Sequence, residues 1–400
     1  MRGVLALIAV AVVTAACGAD VSGAPTTLRV LMADDWAGTQ AVVDVVRTFE
    51  ADNPGVTVQV VGRPFHQILD GLRESIAGGR PPDVVHHHAF AAGATGLAEP
   101  IDDAWGPDGR FDADSYVAGA LEDVRWGDAV YGVPLDVNAL FMVVDADLGE
   151  VPETFADVRR LAALATAGGR RGLTVSSNSW EVYGWIRANG GELVEVAADG
   201  TPTFTLDSPR VVEAVDFLAG LVVDGIAHGP VSRNLSLDAV ELFRAGDTAM
   251  LTTGTWTVAE LERSQSSPAH LLAPLPVGRE GDAPGSVLGG SSLFVARGSE
   301  NGDLALDFIA ALTDDEVAVR LALEEGRFPP RPALYDALAE APGAEVLAAQ
   351  LPSAHPMRLI AFPEADTAFL AALDRVLTGR ADAATALADA QAHVEEVVGR

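Results

Sequence analysis

The stretch that most constrains this chain is Val130 to Asp145, VYGVPLDVNALFMVVD. It reads as a short extended run, Val130–Val133, then a proline, a polar triplet Asp136-Val137-Asn138, and a second apolar run, Ala139–Val144. No Gly-rich two-residue turn separates the runs, and proline offers no N–H to a ladder, so a tight hairpin fits poorly. The pattern fits a backbone that leaves one sheet and crosses to another near Asn138. A pair of core strands with a solvated kink is the other way to read it. A chain that changes sheets here has two bodies and a trough between them.

Four hundred residues suffice for two domains with separate cores. The formal charge is −31, and all 26 basic residues are arginine. So acidic a surface argues against nucleic acid or an anionic membrane as partner. The absence of lysine removes the P-loop lysine, the Schiff-base lysine and the Ser-Lys dyad. At the N-terminus, Arg2 precedes an apolar run from Val4 to Ala16, too short to span a bilayer. Ala15-Ala16 stand before Cys17, the one cysteine of the chain, which therefore has no partner for an internal disulfide. This resembles the lipobox of bacterial lipoproteins, with Thr14 in place of the usual Leu. The resemblance implies a signal peptide over 1–16, a lipidated Cys17 and a short linker to residue 27.

Leu28–Ala33, a helix over Thr39–Asp52, Val56–Val61, a helix over Pro64–Ala77 and Asp83–His86 alternate as β-α-β-α-β, the rhythm of a parallel sheet. Ligands of such sheets sit beyond the carboxyl ends of the strands, here Asp34-Asp35-Trp36 and His86-His87-His88. After the crossing the sequence predicts helices over Pro152–Ala165, Ser179–Asn189 and Ser208–Asp224. Strands follow at Leu173–Ser176 and Thr248–Thr252. Leu272–Gly285 is a second crossing, Val287–Val295 a returning strand, Asp303–Glu325 one helix, and Gly326–Pro332 a third crossing. Helices over Asp366–Leu377 and Ala381–Val398 close the chain.

Alternation on a strand puts His86 and His88 on one face and His87 on the other, two ligands at most, whereas zinc takes three or four. The run is either the polar end of a strand facing the trough or a set of structural histidines, and neither a metal nor a cofactor is expected. No G-x-S-x-G, H-E-x-x-H or G-x-G-x-x-G occurs, and adjacent carboxylates such as Asp34-Asp35 do not supply a glycosidase's separated pair. Six tryptophans are present, and Trp36, Trp180 and Trp256 each stand at a strand–loop–helix junction. Indoles beside polar groups at strand ends suit sugars, which offer C–H faces for stacking and hydroxyls for the rim. Core packing is the alternative for each of them.

In order, LRVLMADDW, FEADNPGVTVQVV, GGRPPDVV, VYGVPLDVNALFMVV with VPETFADV, FRAGDTAMLTTGTW, APLPVG, GGSSLFV, ALDFIAALTDDE and LTGRADAATAL resemble the extracellular solute-binding proteins of carbohydrate ABC importers, the group that includes maltose-binding protein. Asp145-Ala146 and Phe155 depart from the Asn-Lys and Trp usual in that family. The resemblance covers nearly all of residues 26–400. It implies a two-lobed α/β fold with ligand in the inter-lobe cleft, lobe I from 28–135 plus 281–327 and lobe II from 138–277 plus 331–400. It implies a ligand set of Asp35, Trp36, His87, His88, Asp136, Asn138, Asn178, Trp180, Trp256, Gly290 and Ser291. Asp366 stands near the place of an aromatic residue found in some members, which favours a mono- or disaccharide. The implied protein is a monomeric, non-enzymatic sugar receptor, held to the outer face of the cytoplasmic membrane by its lipid alone. It would serve an ABC permease whose ATPase is a separate chain. The alternatives are an exported polysaccharide-acting enzyme, or a binding protein for a polyol or phosphate ester.

Overall fold

LRVLMA is apolar at almost every position, the mark of a strand covered on both faces. In the computed structural model, which describes residues 25–106, 109–231, 237–264 and 267–398, it lies within β1 (Thr26–Ala33), an interior strand of a sheet. Cys17 and the expected signal peptide fall outside the described residues. Among the described residues no helix is long and apolar enough to cross a membrane. β1 pairs in parallel with β2 (Val56–Arg63) and β3 (Val84–His87). Between β1 and β2 the helix Gln40–Asp52 is capped by the Thr39 hydroxyl and turns Ala41, Val42, Val45 and Phe49 inward.

The polar triplet does not break the strand. β4 runs unbroken from Gly132 to Ala139, and β5 (Phe141–Asp145) begins after a single residue, Leu140, in a second sheet. Pro134 is tolerated because β4 is an edge strand whose ladder slips by one residue beside that proline, between Ser291 and Ser292 of its partner. The second sheet holds β5 with β6 (Arg171–Ser176), β7 (Ala227–Val231), β8 (Thr248–Thr253) and β9 (His270–Pro274) in the order β7-β6-β8-β5-β9. The chain then returns as β10 (Ser286–Val295), which runs antiparallel to both β3 and β4, so the first sheet is mixed where a parallel one is expected. A third passage lies alongside, since Val137 N–H donates to Phe328 O at 2.8 Å. Residues 354–356, in the stretch assigned by sequence to the second lobe, form β11 and pair with the start of β10 in the first sheet.

Each sheet has its own core. Leu28, Val30, Val84, Phe308 and Ile309 pack about the first. Met142, Leu173, Val182, Val215, Leu218, Phe369 and Leu373 pack about the second, which the last two helices, Pro363–Leu377 and Ala383–Val398, help to cover. The single helix expected over Asp303–Glu325 is two, Gly302–Leu312 and Asp315–Glu325. Thr313 bonds back to Ile309 O while Asp314 caps the next helix by accepting from Glu316 N–H, so the pair ends one helix and starts another.

Candidate functional site between the two sheets

The floor of the trough is the β4–β10 ladder, where Asp136 faces Ser291, Val137 faces Gly290 and Asn138 faces Gly289. Asp136 and Asn138 are two residues apart and share a face, about 7 Å along the strand. Both glycines are demanded by crowding. Gly290 has φ +116°, and a Cβ there would meet the Asp136 carbonyl oxygen at 2.1 Å. At Gly289 a Cβ would stand 2.2 Å from Asn138 Oδ1 and 2.8 Å from the Trp180 ring. Gly290 therefore serves through its backbone conformation.

The first-sheet wall starts at the end of β1. Trp36 is only 3 % exposed, with the His86 ring edge-on at 5.0 Å and the Arg327 guanidinium 5.2 Å over its own ring. Arg327 also pairs with Asp35 at 2.5 Å. Trp36 is thus a covered indole, and Asp35 and Arg327 occupy the surface where stacking is expected from sequence. At the end of β3, His86 Nδ1 accepts from Ala33 N–H at 3.3 Å and its Nε2 lies 2.6 Å from Ser291 Oγ, which donates to Asp136 Oδ1. His87 is buried and stacks on Phe65 at 4.3 Å. His88 contacts Asp123 Oδ1 at 2.8 Å, and Asp123 accepts from Ser292 Oγ at 3.1 Å. The expected alternation of the three histidines stops because β3 ends at His87 and a helix opens at Ala89.

Burial sets the titration of this cluster. Desolvation, aided by the charges of Arg327 and His88, drives His86 down to about 3. Burial takes His87 well below its ordinary value too. For His88 burial acts in the same direction, but the charge and hydrogen bond of Asp123, joined by the charge of Asp136, carry it upward. Asp136 is raised by burial, against the lowering influence of Arg327 and Ser291. Among the described residues no group of three or more His, Cys, Asp or Glu could hold a metal.

The second-sheet wall carries the other indoles. Asn178 Oδ1 accepts from Trp180 N–H at 2.9 Å and Glu181 N–H at 3.2 Å, capping the helix Ser179–Ala188. Trp180 reaches across to the first sheet, donating from Nε1 to Leu288 O of β10 at 3.3 Å. Its ring lies 5.8 Å from that of Trp256, tilted by 53°. Trp256 opens the helix Thr255–Arg263 and folds over Gly254, where a Cβ would strike the indole at 2.0 Å. Among the described residues, Trp256 Nε1, Asn138 Oδ1 and one oxygen of Asp366 are buried without partners. Asp366, close enough to Ser179 for a hydrogen bond, is raised by its burial.

The structure therefore joins Trp180, Trp256, Asn138 and Gly289 in one patch, and Trp36, His86, Ser291 and Asp136 in a second, both reached from β10. Asn178 spends its carbonyl on a helix, and the Ser291 hydroxyl is engaged on both sides. Arg358 donates to the carbonyls of Arg125 and Glu122. Sequence reasoning missed Phe65, Asp123 and the role of His86; only the histidine run signalled the last.

Residues 44–346 match the family model of the bacterial extracellular solute-binding protein. The chain belongs to that family. This solute-binding protein is 26% identical over 393 residues to an uncharacterized lipoprotein of Streptomyces antibioticus, covering 91% of this chain and 85% of the relative. It is 25% identical over 331 residues to the diacetylchitobiose binding protein DasA of Streptomyces coelicolor, covering 79% and 74%. In structure it superimposes on the sugar-binding protein MalE of Xanthomonas citri with a TM-score of 0.79 at 21% identity, over 94% of this chain and 98% of that one. The fold is the two-lobed α/β arrangement, with the β4–β10 ladder lying where the lobes meet.

Proposed function

We propose that this solute-binding protein takes a sugar of one or two rings between its lobes and hands it to a membrane permease. The observation that carries the reading is the tilted indole pair Trp180–Trp256 beside the unpartnered Asn138 Oδ1 and Trp256 Nε1. Two aromatic faces offer stacking area, while a buried acceptor and a buried donor without partners call for a ligand that supplies both. The names of DasA and MalE, which speak of sugars, support the same class. The ligand set we propose is Asp35, Trp36, His87, His88, Asp136, Asn138, Asn178, Trp180, Trp256, Gly290 and Ser291, direct contact falling to Asp136, Asn138, Trp180 and Trp256 and the others shaping or supporting the walls. The lobes divide as lobe I, 28–135 plus 281–327, and lobe II, 138–277 plus 331–400, with β11 docked on lobe I.

Two observations weigh against the alternatives. A backbone N–H can only donate, so His86 Nδ1 is an acceptor and its proton sits on Nε2. That nitrogen faces Ser291 as a donor and has no lone pair to take the serine proton, so the pair is not a nucleophile and base. For an anionic ligand, Arg327 is engaged with Asp35 and Arg358 with carbonyls.

Calorimetry and thermal shift over a panel of mono- and disaccharides, including maltose and diacetylchitobiose, should give sub-micromolar binding of at least one with the sugar recovered intact. Chromatographic appearance of a cleaved product, or a panel that never binds, would overturn the reading. The protein acts outside the cytoplasmic membrane, tethered through Cys17 as a monomer. Cys17→Ser is accordingly expected to move it from the membrane to the soluble fraction; retention with the membrane would contradict lipidation.

A further inference from the structure

Ala33 N–H donates to His86 Nδ1, which leaves the Nε2 proton pointing at Ser291 Oγ, 2.6 Å away. With its lone pair so occupied, the Ser291 hydroxyl gives its own proton to Asp136 Oδ1. Three buried side chains from β3, β10 and β4 thus form a chain whose hydrogen bonds all run one way, from the backbone of β1 to a carboxylate on the floor. His86 is fully buried, Ser291 is 5 % exposed and Asp136 4 %. We propose that His86, acting through Ser291, is a positioning residue that locks Asp136 as a pure acceptor, so that the solute must present a hydroxyl or N–H to it. This goes beyond the ligand set above, since it gives Ser291 a defined task and brings in His86. It rests on the proposed sugar reading only for the identity of the solute.

The direction of the chain matters because Asp136 has several charged neighbours. His88 faces it from the residue after β3, Asp123 from the helix Ala118–Asp123, and Arg327 from the third passage between lobes, while the neutral His86 reaches it only through Ser291. Arg327 and Ser291 are the groups named there that favour the ionised carboxylate most, and Arg327 is shared with Asp35. Removing the serine hydroxyl leaves burial less opposed, and the carboxyl then keeps its proton to higher pH. A protonated Asp136 donates where it had accepted, and the solute's hydroxyl loses its partner.

The deciding experiment needs no ligand: the Asp136 carboxyl is titrated by carbon-13 NMR in the unliganded full chain. Ser291→Ala and His86→Phe should both move its midpoint to higher pH. Ser291→Thr, which keeps the hydroxyl, and His86→Gln, whose amide nitrogen reproduces the Nε2 donor, should restore it. An unmoved midpoint in folded Ser291→Ala and His86→Phe overturns the proposal. Affinity for the tighter of maltose and diacetylchitobiose supplies the second reading. Ser291→Ala should weaken it about tenfold, the worth of one charge-assisted hydrogen bond, and by much less in an Asp136→Asn background. Equal losses in both backgrounds would mean that Ser291 acts elsewhere and would also overturn it. A wild type that binds neither sugar strikes at the sugar reading, and the titration still decides the relay.

Discussion

Lowering the pH from 7 to 4 is expected to remove several kcal/mol of stability from this protein, with the loss beginning near pH 6.5. The source is the buried histidines at the end of β3. In the unfolded chain His86 binds a proton near its ordinary 6.5, whereas in the fold burial holds it to about 3. Between those values the unfolded state carries the extra proton, so stability falls as pH falls, by about 1.4 kcal/mol per unit. At pH 4 that is about 3 kcal/mol from His86 alone, and His87, also lowered by burial, adds in the same direction. His88 is of opposite sign: its folded value is raised, so its contribution is complete below 6.5 and is lost as pH rises from there through the raised folded value. Asp136 and Asp366, raised by burial, likewise oppose the loss, their penalty easing as they protonate at low pH. Urea unfolding at pH 7, 5.5 and 4 would measure the balance, and His86→Gln should flatten the slope by the share of one histidine. Parallel wild-type and His86→Gln curves would show that His86 protonates as freely in the fold as out of it.

Trp256→Ala is expected to weaken sugar binding by about 1–3 kcal/mol, or roughly 5- to 150-fold in Kd, the value of losing one buried aromatic face. Trp256 is held from behind by the bare Gly254 and from the side by Trp180, so its ring is placed before ligand arrives and its ordering adds little to the cost of binding. Its Nε1 has no partner among the described residues, so truncation also removes the donor that a ligand oxygen would meet. Trp256→Phe should recover part of the stacking and none of the hydrogen bond. Calorimetry on variants with unchanged circular dichroism tests this, and an unaltered Kd in folded Trp256→Ala would place the indole outside the binding surface.

What was legible in the chain was whatever depends on short-range periodicity. The helix expected over Thr39–Asp52 shows itself by its apolar spacing, and the glycines and prolines before β10 mark the second crossing. What depends on a distant partner was hidden. Pro134 looks like a break until β4 is seen to be an edge strand with a slipped ladder. Asn178 has the right chemistry for a sugar, but two N–H groups of its own helix claim it first. Trp36 stands where an open indole is expected, and what covers it is Arg327, 291 positions away in sequence. The break at Thr313-Asp314 was hidden because the apolar pattern on both sides reads as one helix.

Several places where the backbone passes between the two bodies lie side by side: Leu140 after β4, the segment before β10, and the stretch at Phe328, which is bonded to Val137. A single tether would let the halves twist, slide and tumble like beads on a string. Neighbouring tethers stitched to one another by a β ladder act instead as the pins of a door. They leave a swing about one axis as the cheap motion, so the walls meet the guest in the same alignment at each closure.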